Sequence, residues 1–208
     1  MALVKLNNRG VRSVSTFGSI SSLGTYTFIK KVTASSSANV AFVNGSSDVV
    51  LDGTYKEYLF TFNNIHAATD DVMFTFNGSD DTSSHSYDIA KTTTFFTAEN
   101  SESGSNAFAY STGGDLANST GYQRLFNGIG NVNDESCAGY LHLYAPSDTT
   151  YVKHFIGMTT GNRQADANGV YYVAGFFNTT SAITAIDFKA SSGNIDAGTI
   201  KLYGLKDS

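Results

Sequence analysis

The chain has 208 residues, a formal net charge of −5, and 41% hydrophobic and 15% charged side chains. Ser, Thr, Asn and Gly supply 85 residues, yet the apolar content suffices for a core, which excludes wholesale disorder. Because Cys137 is the only cysteine, the chain can form neither an internal disulfide framework nor a cysteine-based zinc site. No apolar run approaches the roughly 18 residues that a membrane-spanning helix needs.

The first predicted element is an N-terminal arm with a Ser/Gly-rich connector, residues 1–22. No acidic residue precedes Asp48, so residues 1–47 carry +5 while the remainder carries −10. A basic arm on an acidic body predicts docking on an acidic neighbour through Lys5, Arg9 and Arg12. A tail whose charge only aids solubility is the alternative. Nucleic acid is a poor candidate partner, because five basic residues are too few to attract phosphate when the rest of the chain is negatively charged. The start is also too polar for a signal peptide.

Short alternating or aromatic-rich runs, separated by Ser, Asn, Gly and Asp, predict strands rather than helices. In chain order they cover residues 25–33, 39–43, 55–62, 72–76 and 86–96, with a short extension at 49–51. Residues 98–133 give no clear pattern. Residues 140–144 and 151–158 predict a β-hairpin across the only proline, and strands at 170–177, 183–188 and 199–203 follow. Nine or ten strands predict an all-β, antiparallel β-sandwich over residues 23–208, with a jelly roll the favoured topology.

The residues that carry chemistry form no catalytic or metal-binding pattern. The histidines are not spaced as metal ligands, although His142 and His154 could face each other across the hairpin. The acidic loops at 70–71, 80–81 and 131–135 lack the calcium-loop pattern and are typical of turns. No nucleophile elbow, phosphate-binding loop or paired glutamates occur. The sequence therefore predicts no enzyme, no metal and no cofactor.

The strand at 170–177 carries aromatic residues on both faces: Tyr171, Tyr172, Phe176 and Phe177. Such a strand lies between two packed layers or at a subunit interface. Excess apolar area favours self-association, and we expect a homotrimer. A purely intramolecular core is the alternative.

Three segments resemble virion structural proteins of marine tailed bacteriophages, particularly those infecting cyanobacteria: 3–12, 55–66 and 188–204. The last is the most specific, with a strand, a Ser-Ser-Gly-Asn turn and the run Gly-Thr-Ile-Lys-Leu-Tyr-Gly. The resemblance implies a jelly-roll capsid decoration, fibre or tail appendage located in the virion, and it implies no catalytic residues.

We therefore expect a non-enzymatic virion protein that oligomerises and contacts other virion proteins. The expected attachment residues are Leu3, Val4, Lys5, Leu6, Arg9 and Arg12, with the apolar members able to add a strand to a neighbour's sheet. The alternative hypothesis is a carbohydrate-binding module that recognises host-surface glycans through exposed tyrosines. A glycan depolymerase is a more distant alternative, because it needs a close pair of carboxylates.

Overall fold

The computed structural model describes residues 26–205, which form twelve strands and no helix. The strands are β1 Tyr26–Ser37, β2 Val40–Val43, β3 Glu57–Ala67, β4 Val72–Ser79, β5 Lys91–Ser101, β6 Asn106–Tyr110, β7 Gln123–Ile129, β8 Cys137–Tyr144, β9 Lys153–Arg163, β10 Ala167–Phe177, β11 Ala185–Ala190 and β12 Ile195–Leu205. The predicted arm and its attachment residues lie outside the described residues.

The strands form two antiparallel sheets, as the all-β prediction required. The larger sheet has eight strands in the order β1-β12-β3-β8-β9-β10-β5-β6, and the smaller has four in the order β2-β11-β4-β7. The two sheets pack face to face, so the predicted β-sandwich is confirmed.

The core lies between the sheets because alternate residues of each strand point inward. On β3, Tyr58, Phe60 and Phe62 are buried, as the alternation predicts. Phe188 of β11 lies at the centre of an aromatic cluster. Its ring centroid is within 6.3 Å of the rings of Phe42, Phe60, Phe62, Phe74 and Phe76.

Several predicted strand bounds were wrong. Residues 49–51 form no strand, although Val49 and Leu51 are buried, because Asn44 and the nearby backbone hold them in a turn. The strand predicted at 86–96 begins only at Lys91 and runs to Ser101. The unassigned region 98–133 contains β6 and β7. The predicted hairpin is confirmed, since β8 and β9 pair in an antiparallel ladder.

Candidate interaction surface

Strand β10 divides its aromatic residues between the two faces of the eight-stranded sheet. Tyr171 and Phe177 point inward and are buried, so they do not belong to any surface. The Tyr171 hydroxyl donates to Glu99 Oε1 at 2.9 Å, and Arg163 Nη1 donates to Glu99 Oε2 at 2.7 Å. Tyr172 and Phe176 point outward, and Tyr172 is 37% exposed. Of the four predicted interface residues, only Tyr172 and Phe176 therefore lie at the surface of the subunit.

The ladder register aligns further aromatic side chains with Tyr172 on the outer side of the sheet. Met158 of β9 and Phe96 of β5 are its direct neighbours in the two adjoining ladders. The Phe96 ring stacks on the Tyr172 ring with centroids 5.0 Å apart, and Phe108 of β6 packs edge-on against Phe96 at 6.1 Å. Phe108 is 75% exposed. These rings pack together and still present much of their area to solvent.

The same surface continues across the sheet to β1. There Phe28 lies opposite Tyr203 of β12, with ring centroids 5.7 Å apart. We define the outer aromatic face as the aromatic residues on this side of the eight-stranded sheet together with two apolar residues of β9: Tyr26, Phe28, Phe96, Phe108, Tyr110, Tyr140, Tyr144, Ile156, Met158, Tyr172, Phe176 and Tyr203. Sequence reasoning missed most of this surface, because it becomes visible only when the strand order places distant segments side by side.

A shallow groove crosses the outer aromatic face where β8, β9 and β10 adjoin. It has a volume of about 500 Å³ and is lined by Tyr144, His154, Ile156 and Phe176, together with threonines of β5. A second recess of about 550 Å³ shares Tyr144 and His154 and extends to Asp148 and Tyr151 in the loop after β8. The two recesses combine aromatic rings with a few polar groups.

Polar side chains also lie on this side of the sheet: Lys31 and Lys201 in the β1–β12 ladder, and a His142–Glu57 pair nearer the middle. His142 Nδ1 contacts Glu57 Oε1 across the β3–β8 ladder, and the His142 ring stacks on Tyr144 with centroids 6.2 Å apart. Burial and the Glu57 carboxylate raise the pKa of Tyr144 above its ordinary value. His142 lies opposite Ile156 in the hairpin, so it does not face His154 as the sequence suggested.

Among residues 26–205, no group of three or more His, Cys, Asp and Glu side chains is arranged to hold a metal ion. Cys137 is buried, and burial raises the pKa of its thiol, which makes it a poor nucleophile. Within that same range, no helix is present that could span a membrane.

A buried polar cluster lies where β5 meets the four-stranded sheet. Lys91 and Asn77 are both completely buried, and Lys91 Nζ donates to Asn77 Oδ1 at 2.6 Å. Asp187 of β11, opposite Asn77 in the ladder, is also buried and accepts hydrogen bonds from Asn39 and Tyr122. Sequence reasoning missed this cluster, since a lysine in a Thr-rich strand carries no sign that it points inward.

Comparison of the chain with family models, with curated proteins and with solved structures gave no match.

Proposed function

We propose that the chain is a non-enzymatic structural component of a bacteriophage virion, built on a jelly roll, that self-associates through the outer aromatic face. The observation that carries the assembly part of this proposal is the size and apolar character of that face. The virion assignment also depends on the resemblance of segments 3–12, 55–66 and 188–204 to phage structural proteins.

The strand order supports a jelly-roll topology. Eight strands pair as nested partners, β1 with β12, β2 with β11, β3 with β8 and β4 with β7. The pairs alternate between the two sheets, giving β1-β12-β3-β8 opposite β2-β11-β4-β7. This is the arrangement of a long antiparallel hairpin wrapped into two sheets, which is common in viral capsid and lectin domains. Strands β9, β10, β5 and β6 widen one sheet beyond this frame.

The exposed area of the outer aromatic face supports self-association. Seven of its large side chains are between 37% and 75% exposed: Tyr26, Phe28, Phe108, Tyr110, Tyr144, Ile156 and Tyr172. Five of them lie on β6, β8, β9 and β10 and, with roughly half of about 200 Å² accessible on each, present about 500 Å²; Tyr26 and Phe28 lie at the other edge of the sheet, on β1. The largest apolar patch on a monomeric protein is typically about 300–600 Å², whereas a stable interface buries about 800 Å² on each partner.

The oligomeric state of the purified chain tests the assembly proposal. We expect light scattering at micromolar concentration to give a stable oligomer, with a homotrimer as the expected state. Three subunits would bring three N-terminal segments together, so that weak attachments through residues 1–22 would act in concert. A stable monomer would contradict the proposed use of the outer aromatic face.

Location in the particle is tested separately. Mass spectrometry of purified virions should detect the chain at a stoichiometry consistent with a structural part. Its absence from virions, together with abundance in infected cells, would contradict the virion assignment without affecting the oligomer.

A second candidate function, binding of host-surface glycan, is favoured by the groove and recess that share Tyr144 and His154. Exposed tyrosine rings offer flat apolar surfaces for sugar rings, and Asp148 and His154 offer hydrogen-bonding groups beside them. Glycan-array binding that disappears in Tyr144→Ala and Tyr151→Ala variants, and persists in Val132→Ala, would support this function. Absence of binding by the unmodified chain would contradict it.

A further inference from the structure

We propose that the side chains of Lys91 and Asn77 become joined by an intramolecular isopeptide bond, with loss of ammonia. The bond would connect β5 to β4, and thus one sheet of the sandwich to the other. It is independent of the proposed function, since it concerns the covalent structure of the core.

The first support is the placement of the two reacting groups. Lys91 and Asn77 are both 0% exposed, and Lys91 Nζ lies 2.6 Å from Asn77 Oδ1. When two groups are held at contact distance in a packed interior, their reaction is effectively unimolecular. The entropic cost of bringing them together has then been met by folding and does not add to the reaction barrier. Water, the competing nucleophile, has no access to side chains that are fully buried.

The second support is the state of the amine. Lys91 Nζ donates to two acceptors, Asn77 Oδ1 and the Ile89 carbonyl, and these match the two hydrogens of a neutral amine. Burial lowers the pKa of Lys91 to about 7, although Asp88 partly opposes this. A neutral amine has a free electron pair, so Lys91 is a competent nucleophile near neutral pH.

The third support is the environment of the carboxamide. The Gly78 backbone N–H donates to Asn77 Oδ1 at 2.8 Å and is placed to stabilise negative charge that develops there during attack. Asn77 Nδ2 donates to the carbonyls of Tyr87 and Thr120, which fixes the amide plane.

The reaction needs no oxidant or other reagent. The Nζ electron pair forms a bond to Asn77 Cγ, and the Cγ–Nδ2 bond breaks with its electron pair moving to Nδ2. One Nζ proton is transferred to Nδ2, and ammonia leaves. The product is a neutral amide in place of a buried amine and a buried carboxamide.

The intact mass of the full chain tests the proposal. We expect a mass about 17 Da below that of the sequence, corresponding to one ammonia, and a tryptic peptide in which the segments containing Lys91 and Asn77 are linked. A chain with its full sequence mass would overturn the proposal, whatever the variants do.

Two lysine variants separate this bond from a competing loss of ammonia. Attack by the Gly78 backbone nitrogen on Asn77 would give a cyclic imide of the same mass. The deficit should vanish in Lys91→Met and persist in Lys153→Met, because Lys153 is also buried but bonds only backbone carbonyls in its described contacts. A deficit that persists in Lys91→Met would overturn the proposal.

The pH dependence of bond formation gives a readout that does not depend on a variant. In chain that is recovered unfolded, before the bond has formed, and is then refolded at different pH values, the rate of mass loss should increase about tenfold between pH of about 6 and about 8, as the amine becomes neutral. A rate that does not rise over this range would exclude the Lys91 amine as the nucleophile.

Discussion

Replacing two residues at the middle of the outer aromatic face, Ile156→Thr and Tyr172→Thr, should weaken the oligomer while leaving the fold intact. Both side chains point away from the core and are 47% and 37% exposed. Complete burial of such a side chain is worth about 1.5–3 kcal/mol, so burying the part that is still exposed contributes about 1 kcal/mol for each. The double variant should therefore lose about 2 kcal/mol per interface, which raises the dissociation constant about 30-fold.

Sedimentation velocity over a concentration series measures this change, and thermal unfolding shows whether the variant is folded. Threonine keeps the strand propensity of both positions. Val132→Thr is the matched control, because Val132 is 54% exposed but lies in the loop between β7 and β8, off the outer aromatic face. An unchanged dissociation constant in the double variant, or an equal loss in the control, would refute the assignment of this surface as the interface.

Three further predictions concern the core, a buried acid and the arm. Phe188→Ala should lower the free energy of unfolding by about 3–5 kcal/mol in denaturant titrations, because it leaves a cavity among five aromatic rings. The exposed control Val132→Ala, off the outer aromatic face, should change it by less than about 0.5 kcal/mol. Burial raises the pKa of Asp187 above 3.8, so its contribution to the free energy of unfolding is greatest at low pH and is lost as pH rises through the folded-state pKa. Asp187→Asn should remove this pH dependence of stability, and identical stability profiles for the two chains would contradict the reasoning. Changing Lys5, Arg9 and Arg12 together to Glu should abolish incorporation into particles without altering the far-ultraviolet dichroism, and normal incorporation would rule out electrostatic docking.

The sequence predicted those strands whose inward and outward residues alternate. The alternation in Tyr55–Phe62 and Val72–Phe76 identified β3, β4 and the core side of each. Strand β6 escaped prediction because all five of its residues are exposed, so that no alternation marks it. The burial of Lys91 also escaped prediction, because a lysine is normally expected at the surface. Its partner in the interior, Asn77, belongs to another strand, so the local sequence does not reveal the pair.

The outer aromatic face was predictable only in part, for a related reason. Alternation in residues 170–177 shows that both sides of the strand are aromatic, but it cannot show which side is covered. That depends on the four-stranded sheet, which buries Tyr171 and Phe177 and leaves Tyr172 and Phe176 outside. Strand order, rather than local pattern, assigns these residues to the core or to the surface.

The two ends of the eight-stranded sheet differ in how well they resist the addition of another strand. At one end, β1 carries Lys30 and Lys31 beside an irregularity in its register, and both features hinder pairing with a foreign strand. At the other end, β6 has the composition Asn-Ala-Phe-Ala-Tyr, without charge or proline, and within the described residues nothing pairs with its outer side. The sheet therefore has one edge that is open to pairing: two copies joined through their β6 strands would form a closed pair, and the β1 edges would stop any further growth by strand addition.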